Sequence, residues 1–203
     1  TAIIKAVDEH ADLIRYSAAS AGNDHRLGAN EAPPAVVSMF LGDQLEDVIE
    51  QLAATGDATS SIQGSNLDSG VQTLPIFKKD ATDRNRTSPF AFTGNKFEFR
   101  MLGSTASIAG ANIVLNTAVA EVLDEFATRL EKAADFGKEV AAIVKETVTN
   151  HKRIIFNGNN YSDEWVQEAE RRGLANLKTS VDALPKFAAE KNIALFEKYG
   201  VFS

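Results

Sequence analysis

Apolar positions in the first twenty residues fall on one side of a helical wheel. Ile3, Ile4, Val7, Ala11, Ile14 and Ala18 recur every three or four positions, so the spacing predicts a helix over 1–20. Gly22-Asn23-Asp24 breaks the period and leads into a loop from His25 to Pro34. Pro33-Pro34 suits a helix's first turn, so a second helix is expected from Ala35. Val36, Val37, Phe40, Leu41, Leu45, Val48, Ile49 and Leu52 would form its buried stripe and Thr55-Gly56-Asp57 its stop. From Ala58 to Gly70 the chain is rich in Ser, Gly, Asn and Asp and has no period, which reads as a long surface loop.

Two short segments, Thr73 to Phe77 and Lys96 to Leu102, read as strands. Gly94-Asn95 is a hairpin-turn signal that would pair Phe90-Ala91-Phe92 back onto the second of them. Beyond Ala106 the pattern is helical. The stretch Ala109 to Phe126 is apolar around much of its circumference and should be buried, whereas Ala127 to His151 alternates as a surface helix would. Ser162-Asp163-Glu164 opens a further helix that carries Trp165, Arg171-Arg172-Gly173 ends it, and a last helix is expected over Leu184 to Tyr199. Trp165 with Tyr161 should anchor these last helices, and His10 and His151 are expected to be solvated. The fold class is therefore α+β, mainly α, with a few strands and long helices.

Composition narrows the function classes. Hydrophobic residues at 44% and charged residues at 24% are those of an ordinary folded domain, so neither a disordered tail nor a fibrous repeat is indicated. The net charge of −7 argues against a nucleic-acid binder, which needs a basic face to displace counterions. There is no cysteine, which removes disulfides, thiolate metal sites and cysteine nucleophiles and is compatible with a reducing compartment. No apolar run reaches the roughly 18 residues of a membrane span. The expectation is a cytoplasmic chain. Because it opens directly in a helical pattern, a boundary within a longer protein is also expected.

Candidate chemistry concentrates on one strand. In Lys96-Phe97-Glu98-Phe99-Arg100 the side chains alternate, which places Lys96, Glu98 and Arg100 on one face, about 6.6–6.8 Å apart. A carboxylate flanked by two cations suits a site for a hard metal ion and anionic ligands. The same pattern also describes the solvated face of an edge strand, with ion pairs worth about 0–1 kcal/mol. Upstream, Asp83-Arg84-Asn85-Arg86-Thr87-Ser88-Pro89 concentrates guanidinium and hydroxyl donors that could wrap a phosphate, or that simply form a polar turn capping the strand.

Taken in order, His25-Arg26-Leu27-Gly28-Ala29-Asn30-Glu31-Ala32-Pro33, then Asn85-Arg86-Thr87, then Phe97-Glu98-Phe99-Arg100 resemble glutamine synthetase. The fuller run from Asn85 to Arg100, with 151–160 and 165–174, is similar to the type III branch. The resemblance implies that the strands belong to a catalytic barrel, with 1–125 the carboxyl-terminal part of the catalytic domain and 126–203 a type III helical region. It implies ATP-dependent ligation of glutamate and ammonia through a γ-glutamyl phosphate, in a homo-oligomer of stacked rings, with Mg2+ or Mn2+ as cofactor.

By the same resemblance, Arg26 would bind the glutamate carboxylate. Glu31, on a closing flap, would help deprotonate ammonium. Arg86 would meet the transferred phosphate and the nucleotide, Glu98 would hold a divalent metal, and Arg100 would contact glutamate or phosphoryl oxygens. Lys96 stands where type I enzymes carry an arginine near the nucleotide. One departure is Ala91, where type I enzymes have a further arginine. His25 is expected to pack or hydrogen-bond in the loop rather than act as a ligand. Since the remaining metal ligands and the nucleotide pocket of the family lie upstream, the chain alone is expected to be inactive. The competing expectation is a non-catalytic helical oligomerisation or interaction module, suggested by the amphipathic stretch from Ala109 to His151.

Overall fold

The structure, a computed structural model, describes residues 1–29, 32–61, 66–67, 77–78 and 87–202. The helix expected over 1–20 is two short ones, α1 (Ala2–Glu9) and α2 (Ala11–Ser17), and a third, α3 (Ala21–Arg26), stands where a break and loop were expected. The Gly22-Asn23-Asp24 triplet, read as a break, lies inside α3. Ser20 supplies the start, its hydroxyl accepting from the Asn23 amide at 3.2 Å.

The expected second helix is half strand. Residues 36–41 lie outside any helix, with a bridge at Val36 and β1 at Met39–Phe40, and only α4 (Asp43–Thr55) is helical. Val36, Val37, Ser38 and Met39 are all buried, so the run fits neither a helical stripe nor an alternating strand; it is an extended segment enclosed on both sides. Gly42, at φ 85, turns the chain into α4, which then ends as expected at Gly56 in the left-handed conformation.

β4 (Phe90–Phe92) and β5 (Phe97–Phe99) form the expected antiparallel hairpin across Gly94-Asn95, in register Phe90 to Phe99, Ala91 to Glu98 and Phe92 to Phe97. β1 adds to β4 in parallel, giving a mixed sheet of order β1-β4-β5. A separate antiparallel pair joins β2 (Asn66–Leu67) to β3 (Phe77–Lys78). Most of the loop expected at 58–70 and of the strand expected at 73–77 lies outside the described residues.

The long helical stretch divides into α5 (Ala109–Glu131) and α6 (Phe136–His151), with Asp135 capping α6 through the Lys138 amide at 3.0 Å. A 3-10 turn (Lys152–Ile154), α7 (Asp163–Arg171), α8 (Ser180–Phe187) and α9 (Glu190–Lys198) follow, the last two standing where one helix was expected. Thr179 and Asp182 build a reciprocal capping box that opens α8. One main core draws on every region: Val7, Leu13 and Ile14, then Met39, Phe90 and Met101, then Val148, Ile154, Trp165 and Leu195. The chain is thus mainly helical, with a small sheet that shares a groove with α1 and α5. Among the described residues, no helix is long and apolar enough to cross a membrane.

Candidate functional site

The hairpin separates its side chains by face. Phe90, Phe92, Phe97 and Phe99 share one side, with ring centroids 5.0–6.2 Å apart, and three of them line a groove of about 340 Å³ against α1 and α5. This aromatic packing fixes the strand, so the alternate residues Lys96, Glu98 and Arg100 are held on the opposite face.

On that face Glu98 sits between its two cations. Lys96 Nζ lies 3.2 Å from Oε1, and Arg100 meets Oε2 with both Nε and Nη2, at 3.1 and 3.0 Å. The Thr93 hydroxyl adds a longer bond to Oε1 at 3.4 Å. The Arg100 bonds first, and the Lys96 bond second, hold the Glu98 carboxyl below its ordinary range. The environments of the cations differ: the Lys96 side chain is 64% exposed and that of Arg100 only 16%, so Arg100 is the fixed member and Lys96 the adaptable one. Directly across the ladder from Glu98, on the same face, stands Ala91, wholly buried. A large cation in that position would crowd the Glu98 carboxylate, and the small methyl leaves that place to its same-strand neighbours.

Arg26 reaches the end of the same strand. It closes α3, donates from Nε to Asn23 Oδ1 at 2.9 Å, and donates from Nη2 to the carbonyl of Met101, the residue after Arg100. Beyond it Gly28, at φ 78, turns the chain sharply and donates to the Pro33 carbonyl at 2.9 Å; the Ala32 amide donates to the Ala29 carbonyl at 3.1 Å. These bonds tie together the residues on either side of Glu31. Glu31 itself and Arg86 lie outside the described residues. Of the residues expected to act, then, the structure brings Lys96, Glu98 and Arg100 together on one face and ties Arg26 to the end of their strand. His25 is exposed on α3.

As a metal ligand, Glu98 offers one hard carboxylate whose two oxygens already accept from cations. Among the described residues no group of three His, Asp or Glu side chains could hold a metal ion. The described residues therefore supply a divalent cation with one donor and not with a complete coordination set.

Three features of the site and of the frame around it escaped sequence reasoning. Asn23 carries the link between α3 and the strand. Asp24 ties the other side of α3 to the start of α8, accepting from the Ser180 amide at 2.9 Å and hydroxyl at 3.0 Å. Asp8, buried on α1, accepts from Arg153 Nε at 2.8 Å and faces His151 Nδ1 at 2.8 Å. The only local signal was the Ser20-x-x-Asn23 spacing of an N-terminal cap; the partners at 101, 180 and 151–153 are too distant in sequence to infer.

Residues 139–203 match the family model of the glutamine synthetase C-terminal domain. The whole chain is 48% identical to the type-3 glutamine synthetase of Dictyostelium discoideum, spanning 28% of its length. Over 99% of the chain it is 45% identical to a glutamine synthetase of Butyrivibrio fibrisolvens and covers 29% of that protein. Against a glutamine synthetase of Bacteroides fragilis (strain YCH46) the identity is 42%, over 99% of this chain and 28% of the relative. The chain thus spans less than a third of the length of these curated relatives, and within that span it belongs to the glutamine synthetase family.

Proposed function

We propose that this chain supplies one wall of the active site of an ATP-dependent glutamate–ammonia ligase, which forms glutamine through a γ-glutamyl phosphate. The observation that carries the reading is the single polar face of β5, with Glu98 bridged by Lys96 and Arg100 and the Arg26 helix docked at the strand's end. Cations gathered at one place, with a carboxylate between them, are what phosphoryl transfer to a carboxylate requires, since its catalysis is positioning and neutralisation of oxygen charge.

In this reading Arg26 and Arg100 take the carboxylate and phosphoryl oxygens of the substrate, and Lys96, the exposed cation, turns to the nucleotide. Glu98 would offer an oxygen to a Mg2+ or Mn2+ ion whose other ligands would come from beyond the described residues, most of them upstream. Arg86 would meet the transferred phosphate. Glu31, in the segment closed by the Gly28–Pro33 bond, would draw a proton from ammonium, because an ammonium ion is no nucleophile until it loses one. Closure of that segment would also keep water from the acyl phosphate. A homo-oligomer of stacked rings in the cytoplasm completes the proposal.

The direct test is to assay glutamine formation from glutamate, ammonia and ATP with a full-length glutamine synthetase that carries this sequence and with the 203-residue chain alone. The full-length protein should turn over and the chain should not. Turnover by the chain alone, or none by the full-length protein, would contradict the reading. A second reading, a helical association module without chemistry, has support in the exposed Ile113 and Leu123 of α5 and Phe136 and Val140 of α6. Light scattering separates the two: this second reading requires the chain to self-associate or to bind family subunits, and a persistent monomer with no such affinity removes it.

A further inference from the structure

Asn23 is only 1% exposed, yet its amide makes three hydrogen bonds. Nδ2 donates to the Ala18 carbonyl at 2.6 Å and to the Met101 carbonyl at 2.9 Å, and Oδ1 accepts from Arg26 Nε at 2.9 Å. Arg26 Nη2 donates to the same Met101 carbonyl. Asn23, Arg26 and Met101 O therefore form a closed triangle of bonds, anchored through Ala18 to the end of α2. Two consequences follow from the geometry. The Nε edge of the guanidinium is held by Asn23, so the plane of Arg26 is set before any ligand arrives. The strand end next to Arg100 is held by the same amide, so Arg26 and the Glu98–Arg100 face keep a fixed relation.

The triangle is also braced from behind. Asp24, the next residue, holds the Ser180 amide and hydroxyl at the start of α8 and lies 3.6 Å from the buried Arg15, whose Nε donates to the Leu177 carbonyl at 2.8 Å. The short helix α3 is thereby pinned on one side to the strand and on the other to the region that matches the family's C-terminal domain.

We propose that Asn23 is a positioning residue for substrate binding: it orients the Arg26 guanidinium and locks it to the strand that carries Glu98 and Arg100. Asn23 touches no substrate itself and acts through Arg26. The proposal rests on the reading of Arg26 as a contact to the carboxylate of glutamate. An asparagine is suited to the task because it presents, on a short side chain and without charge, an acceptor for Nε and two donors for the carbonyls. A preset guanidinium loses less freedom when a carboxylate binds, which shows in the apparent affinity for that ligand and not in the chemical step.

The experiment uses full-length glutamine synthetase carrying this sequence, and compares the parent with Asn23→Ala, Asn23→Asp, Arg26→Lys and the Asn23→Ala/Arg26→Lys double variant. KM for glutamate, KM for ATP, kcat and Tm are measured for each. Loss of these hydrogen bonds should raise KM for glutamate about tenfold in Asn23→Ala, with KM for ATP and kcat within about twofold of the parent. Asn23→Asp has the same shape and keeps the acceptor for Arg26 but sets an oxygen against the Ala18 and Met101 carbonyls, so it should raise KM for glutamate at least as much as alanine does, and either folded Asn23 variant decides the test if the other fails to fold. Arg26→Lys should raise KM for glutamate by itself, and the double variant should be no worse, because a lysine offers no fork for Asn23 to orient.

If Arg26→Lys leaves KM for glutamate unchanged, the assignment of Arg26 falls and the proposal with it. If Arg26→Lys raises it while the folded Asn23 variants stay within twofold, the role of Asn23 is overturned and the site reading stands. A fall in Tm with kcat and both KM values altered alike, or full additivity in the double variant, would show a structural residue only.

Discussion

Asp8 shows how much one buried carboxylate can hold. Its side chain is 3% exposed and joins α1 to the end of α6 through His151 and to the 3-10 turn through Arg153. His151 was expected to be solvated because its helix reads as a surface helix, and His10 likewise. Instead His151 is part-buried, and His10 is enclosed, 5% exposed with Nε2 2.8 Å from Glu121 of α5, because the kink between α1 and α2 turns its ring inward. We predict that Asp8→Ala lowers unfolding free energy by about 3 kcal/mol, since it strips a buried acid from two partners, and that Asp8→Asn costs less. Urea unfolding of the chain measures both.

Asp24 gives a pH-dependent counterpart. The Ser180 amide, helped by the Ser180 hydroxyl and Arg15, holds its carboxyl below the usual range. A depressed acid contributes its stability in full above the ordinary carboxylate range and loses it as pH falls through the folded value, so the effect belongs below about pH 4. Thermal unfolding of Asp24→Asn should therefore start lower than the parent at neutral pH and show a shallower acid-side decline. Parallel declines in the two proteins would count against the assignment.

Among the elements, the hairpin was legible and the segment before α4 was not. Gly94-Asn95 between Phe-rich runs carries its own turn chemistry, and the alternation in 96–100 needs no distant partner to be read. Residues 35–41 carry no such local information. Their extended form is imposed by long-range partners, β4 along one edge and Ile155 and Phe156 at Met39, which override a pattern that looks helical. Trp165 was rightly expected in the core, but the ring stacked on it belongs to Phe156, with centroids 3.8 Å apart; Tyr161 is 39% exposed. At Gly94, with φ 94 and open space around the position of a Cβ, only backbone conformation resists substitution. Gly94→Ala should cost about 1–2 kcal/mol and Gly94→Asn less, as guanidinium unfolding of the chain would show.

At the scale of the whole molecule, α5 is the beam on which the rest is mounted. α1, α2, α6 and α9 all pack on it. Near its end Arg129 bonds Glu139 at 2.7 Å and Glu146 at 2.6 Å on α6, and these bonds raise the Arg129 pKa, Glu146 first. The part of the chain that matches the family's C-terminal domain does not stand apart from the candidate site. Asn157 Oδ1 accepts from the Leu41 and Gly42 amides, Asn160 meets Ser38, and Ser180 meets Asp24. The helical C-terminal region thus frames the extended segment and α3, and α3 in turn carries Arg26. The site's local half, the β5 face, could be read from five residues; its other half depends on contacts spanning most of the chain. Glu98, the carboxylate at the centre of that face, is the residue on which the proposed chemistry turns. In full-length glutamine synthetase carrying this sequence, a Mg2+ or Mn2+ titration of glutamine formation should show Glu98→Ala reduced at least about 100-fold, with a metal requirement shifted to higher concentration. Parental activity and an unchanged metal dependence in the folded variant would contradict it.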